Sequence, residues 1–102
     1  MRLVDRMAGR PDGTPHEQAQ ARAQHGVAVY WRTGCPFTAR LRMAVWRHSD
    51  RIAWVDIWQD DAGRAWVASV NGGNETVPTV VIDGIPHTNP DPAVVLRALT
   101  DR

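Results

Sequence analysis

The sequence predicts one α/β domain: a four-stranded mixed sheet flanked by helices, in the order β-α-β-α-β-β-α. Three observations carry this. Short apolar runs at Val27–Trp31, Ile52–Ile57 and Thr79–Ile82 have the length and composition of buried strands. Between them lie segments with apolar residues at helical spacing, bounded by helix start and stop residues. Asp83-Gly84 then sits between two strand-like runs, a strong hairpin signal. Alternation first and a hairpin later implies both parallel and antiparallel neighbours in one sheet. A chain of 102 residues, 43% hydrophobic and 23% charged, can build one core without disulfides or metal.

Residues 1–25 differ from the rest. They carry Gly9, Pro11, Gly13 and Pro15, much Gln and Arg, and little bulky apolar content after Met7. That composition predicts a flexible N-terminal arm. His16–Gln24 contains good helix formers but no wide apolar stripe, so a frayed helix at most is expected there. The folded domain is expected over 26–102.

The elements follow in order. Val27–Trp31 is a strand apolar on both faces. Thr33-Gly34-Cys35 is a tight loop, and Pro36 sits where its missing N–H costs nothing, at the first helical position. A helix is expected over 36–48, with Leu41, Val45 and Trp46 at helical spacing. Ile52–Ile57 is the second strand. Asp60–Val70 is the second helix, acidic at its start and stopped by Asn71-Gly72. Thr76-Val77-Pro78 leads into the third strand, and Ile85–Thr88 returns as its hairpin partner. Asn89-Pro90-Asp91-Pro92 opens a last helix with Val94, Val95, Leu96 and Leu99 on its apolar side.

Charge and cysteine count exclude several functions. All twelve basic residues are arginine, against eleven acidic ones, for a net charge of +1. Such balance gives no electrostatic case for nucleic acid or an anionic membrane. The absence of lysine fits the codon bias of a GC-rich genome. One cysteine excludes an internal disulfide, a CxxC redox pair and a multi-cysteine zinc site within the chain. The apolar runs are too short to span a bilayer, and the start Met1–Arg6 lacks the stretch of a secretory signal, so a cytoplasmic location is expected. His16, His25, His48 and His87 show no metal-ligand spacing. Asp56, Asp60 and Asp61 read as strand-end and helix-start charges. The five tryptophans are expected to fill the core or cover its edge, with Trp31 as part of a substrate groove.

Cys35 is the candidate nucleophile. It lies after a buried strand and before a helix N-terminus, whose N–H groups stabilise an anion. The thiolate is the reactive form, and this position favours it, with Arg32 as a second cationic influence. Thr76-Val77-Pro78 is the second element. Pro78 reads either as a trans residue ending a loop or as a cis residue leaving the Val77 backbone free to pair with an extended ligand.

Together these segments carry a family resemblance. Tyr30-Trp31-Arg32-Thr33-Gly34-Cys35-Pro36-Phe37-Thr38 resembles the active-site loop of glutaredoxins, in the thioredoxin-like superfamily. Asn71–Val80, with its Thr76-Val77-Pro78 core, and Thr88-Asn89-Pro90 most closely resemble the actinobacterial branch, the mycoredoxins. The resemblance runs over roughly 27–100 and implies a thioredoxin-like fold. It implies that Cys35 is the attacking cysteine. Arg32, Phe37, Thr38, Thr76, Val77, Pro78, Asn89 and Asp91 would contact the substrate. It implies no tightly bound cofactor, with mycothiol or glutathione as co-substrate and thiolated client proteins as partners. A monomer is expected.

One departure matters. Dithiol members have a second cysteine three positions after the first, and this chain has Thr38 there. Exchange must then be monothiol. Two other readings stand beside this one. The first is an iron–sulfur carrier built as a Cys35-bridged dimer, which the stiffer Cys35-Pro36 loop disfavours. The second is a redox-inactive binding module that keeps the fold.

Overall fold

The computed structural model describes residues 13–102. Strand β1 (Val27–Trp31) is buried along its whole length. Its position explains this. It pairs in parallel with β2 (Ile52–Asp56) on one side and antiparallel with β3 (Thr79–Ile82) on the other. The hairpin partner β4 (Ile85–Thr88) completes a sheet of order β2-β1-β3-β4. This is the mixed four-stranded sheet predicted from the sequence. At the hairpin, Asp83 and Gly84 have φ of 50° and 84°, the two left-handed residues a tight two-residue turn requires.

Alternation along β1 divides the core in two. Val27, Val29 and Trp31 pack with Leu41 and Val45 of α2 (Pro36–Val45) and with Val95 and Leu99 of α4 (Pro92–Thr100). Ala28 and Tyr30 point to the opposite face. There they meet Ala19 of α1 (His16–Arg22), Ala23 of the following 3₁₀ turn, and Val67 of α3 (Asp61–Val70). Two helices lie on each face, which is why β1, β2 and β3 read as apolar runs, while the edge strand β4 is largely exposed.

The first correction concerns the N-terminal arm. Residues 16–25 are not a flexible or frayed segment: α1 and its 3₁₀ turn are packed on the sheet, with Ala19 and Ala23 fully buried. The docking is largely polar. The His16 ring Nδ1 shares a 2.7 Å hydrogen bond with the Tyr30 hydroxyl, and Gln20 Nε2 donates to the same hydroxyl at 2.8 Å. The His16 N–H donates to Asp60 at 2.9 Å, and its ring lies against Tyr30 and Trp66. A stripe of two alanines carries no hydrophobic signal, so only Tyr30 and Asp60 reveal why the helix forms. The rest of the expected arm, residues 1–12, lies outside the described residues.

Smaller differences follow the same logic. The helix expected over 36–48 ends at Val45 and continues as 3₁₀ turns over Trp46–Arg51. Trp46 is 66% exposed rather than core, with Arg47 over its ring, and Trp58 is also exposed. Asp60 and Asp91 cap α3 and α4, accepting from the backbone N–H groups of Gly63 and Ala93.

Candidate active site

Strand β1 delivers the chain to the end of the sheet where α2 begins. Gly34, at φ 82°, makes the left-handed turn, and Pro36 opens the helix at its first position. Cys35 is therefore the N-cap of α2, in extended backbone and with no side-chain cap bond. Its side chain is 6% exposed, and the Sγ–H donates to the Val77 carbonyl at 3.6 Å.

The loop facing Cys35 is fixed from several sides. The Val77–Pro78 bond is cis, the second of the two isomers the sequence left open. The Thr79 hydroxyl donates to the Thr76 carbonyl at 2.7 Å. Asn71 Nδ2 donates to Thr79 Oγ1 at 3.1 Å and to the Val67 carbonyl at 2.9 Å. The Thr88 hydroxyl donates to Asn71 Oδ1, which ties α3 to both strands of the hairpin. The Asn89 N–H donates to the Pro78 carbonyl at 2.8 Å, bringing the start of α4 against the same loop.

The electrostatics favour charge on the sulfur. Burial is the largest single influence and pushes the Cys35 thiol up. It is outweighed by the Thr38 hydroxyl, the backbone N–H groups of Thr38 and Phe37, and the charge of Arg32, so the thiol is held below its ordinary value. Arg32 is half-buried, bonded to the Thr33 carbonyl and placed 5.8 Å above the Trp58 ring.

Where the first turn of α2 faces the start of α4 is a groove of about 120 Å³ lined by Phe37, Arg40, Asn89, Pro90, Asp91 and Pro92. Phe37 is 53% exposed. Pro90 and Pro92 lack N–H groups, and the Asp91 carboxylate accepts from the Ala93 N–H. The fold therefore brings the sequence-selected residues to one end of the sheet in two adjoining sets. Arg32, Thr38, Thr76, Val77 and Pro78 surround or support the thiol side, and Phe37, Asn89 and Asp91 line the groove. Trp31 joins neither: it is 7% exposed, in the core under α2 and α4, with Arg42 over its ring.

Three residues at this end of the molecule were not selected as site residues from the sequence. Arg40 lies one helical turn after Phe37, so helical spacing alone puts both on one face. Asn71 looked like a helix stop and also serves as a three-way tie. Trp58 gave no local signal, since its contact with Arg32 depends on how two loops meet.

Residues 27–85 match the family model for glutaredoxin. A protein designated a glutaredoxin in Mycobacterium tuberculosis is 43% identical over 67 residues, covering 63% of this chain and 77% of that protein. Mycoredoxin 1 of Corynebacterium glutamicum is 37% identical over 74 residues, covering 72% of this chain and 91% of that protein. Among solved structures, the holo form of glutaredoxin C1 from Populus tremula × tremuloides superposes with a TM-score of 0.59 at 22% identity. That superposition covers 83% of this chain and 94% of the poplar chain. The buckwheat glutaredoxin–glutathione complex gives a TM-score of 0.61 at 22% identity, covering 83% and 86%. These superpositions agree with the thioredoxin-like fold.

Proposed function

The chain belongs to the glutaredoxin family, and from that premise we propose that it is a monothiol thiol–disulfide oxidoreductase. Its reaction removes a small thiol from a mixed disulfide on a client protein. The family supports thiol–disulfide exchange in general. One observation carries the finer reading: the one cysteine of the chain caps a helix opposite the Val77 carbonyl, with its charged form favoured.

The steps balance with no second cysteine. The Cys35 thiolate attacks the small-thiol sulfur of the client's mixed disulfide. A bond forms between Cys35 and the small thiol, and the client leaves as a thiolate. A second small-thiol thiolate then attacks the small-thiol sulfur of that adduct. Cys35 leaves as a thiolate, and the small thiol is released as its own disulfide. Cys35 is the catalytic residue, and a depressed thiol value helps it both attack and leave. Val77 offers backbone groups to the peptide-like part of the small thiol, beside Thr76 and Pro78. Arg32 supplies positive charge.

Of mycothiol and glutathione, we favour mycothiol as co-substrate. The groove supports a hydroxyl-bearing sugar arm. It offers an aromatic face at Phe37 and polar side chains at Arg40, Asn89 and Asp91. The 37% identical relative is itself named a mycoredoxin. The enzyme works as a monomer, in the cytoplasm, on thiolated client proteins.

The test is intact mass after incubation with oxidised mycothiol and, separately, oxidised glutathione. One adduct per chain, formed faster with mycothiol and absent in Cys35→Ser, is expected. No adduct from either disulfide sinks the oxidoreductase reading. Equal rates sink only the choice of thiol.

A further inference from the structure

Thr38 stands where dithiol relatives carry their second sulfur, and its surroundings are unusual. Its side chain is 2% exposed, and its Oγ1 has no hydrogen-bond partner among the described residues. A buried hydroxyl without a partner loses the hydrogen bonds it had in water and gains none. Thr38 lies in the first turn of α2, three residues after the N-cap Cys35, and it is among the groups that stabilise charge on that sulfur. In the thiol state the Cys35 proton is directed at the Val77 carbonyl instead. A neutral thiol sulfur is a weak acceptor, whereas a thiolate is a strong one.

We infer that Thr38 is a positioning residue for Cys35, and that a single proton chooses which of two buried groups is satisfied. With the proton on sulfur, the Val77 carbonyl is bonded and the Thr38 hydroxyl is not. When the proton leaves to solvent, the hydroxyl turns its hydrogen to the thiolate, and the Val77 carbonyl is released to accept from an incoming ligand N–H. Ionising the nucleophile and opening its docking site are then one event. The inference rests on reading Cys35 as the attacking thiol. It adds that threonine at position 38 replaces a second thiol with a donor that cannot be oxidised to a disulfide.

The test uses the full chain and three substitutions. Thr38→Val keeps the branched shape and removes the hydroxyl. Thr38→Ser keeps the hydroxyl. Thr38→Ala checks that valine's second methyl is not the cause. The first readout is the pH midpoint of thiolate ultraviolet absorbance, referenced to Cys35→Ser. It is unambiguous because the chain has one cysteine. The midpoint is expected to rise by about one pH unit in the valine and alanine variants, as loss of a charge-assisted hydrogen bond predicts. In the serine variant it stays near the wild-type value.

The second readout is denaturant stability of Thr38→Val against wild type on both sides of that midpoint. Valine is expected to gain stability at low pH, where the hydroxyl is unpartnered, and to lose that advantage at high pH. Equal midpoints in wild type and Thr38→Val, a serine variant shifted as far as valine, or a pH-independent stability difference would each overturn the inference. Neither readout uses a substrate. Wild-type chain that shows these shifts but exchanges no small thiol sinks the oxidoreductase reading and leaves the Cys35–Thr38 pair standing.

Discussion

At the scale of single residues, two titrating groups make opposite predictions. Burial works against the Cys35 thiolate, but Thr38, the backbone N–H groups of Thr38 and Phe37, and Arg32 together prevail. The folded thiol value therefore lies below the unfolded one. Its contribution to stability is present above the unfolded value and is lost as pH falls through the folded value. Iodoacetamide rates against pH check this: the midpoint is expected below the free-thiol value of about 8.5. Tyr30 goes the other way. Burial raises its phenol from 10.0 to about 12, with the Gln20 bond lowering it and Asp60 raising it. Its contribution is full below the unfolded value and is lost as pH rises toward the folded one. It is the one tyrosine, so phenolate absorbance is expected to appear only near pH 12 or with alkaline unfolding. A midpoint near 10.0 in still-folded protein contradicts the buried geometry.

At the scale of elements, α3 is held by contact as much as by propensity. Gly63 lies on its buried side, and a Cβ there meets Val55 Cγ1 at 2.8 Å and Tyr30 Cε2 at 3.4 Å. Glycine to alanine usually adds about 1 kcal/mol to a helix. Here overpacking of about 1–3 kcal/mol works against it, so Gly63→Ala is expected to lower the urea midpoint. A rise means that α3 can shift away from the sheet. Asp60 joins two elements by capping α3 through Gly63 and accepting from the His16 N–H. Asp60→Ala is expected to cost about 1–2 kcal/mol by equilibrium unfolding. The cap was legible because an acidic residue precedes the helix. The bond to α1 was not, since 44 residues separate its partners.

At the scale of the molecule, α1 belongs to the folded unit. Ala19 and Ala23 have no exposed surface, the Thr14 N–H donates to the Trp54 carbonyl, and Arg102 bonds to the His25 carbonyl and to Asp83. The segment after residue 13 is thereby joined to the far end of the chain. Ala19→Asp places an unpaired charge at a buried site, so a loss of several kcal/mol is expected. Thermal unfolding followed by tryptophan fluorescence and by far-ultraviolet circular dichroism provides the check. Coincident transitions at a much lower temperature agree with one cooperative unit. An unchanged transition would show α1 to be dispensable.

Much of this molecule is decided locally. Apolar runs, Pro36, Asp60 and Asp83-Gly84 act within a few residues, so strands, helix starts and the hairpin turn can be read from the chain. Cys35 before Pro36 is equally local, because a helix N-terminus is built from its own next three residues. The tertiary structure alone decided which distant groups meet. It brought the Val77 carbonyl to a thiol 42 residues away and put the Tyr30 hydroxyl between His16 and Gln20. It also buried Trp31 while leaving Trp46 and Trp58 in solvent. Hydrogen bonds and burial depend on what occupies the adjoining space, and that space is filled by segments with no fixed sequence separation.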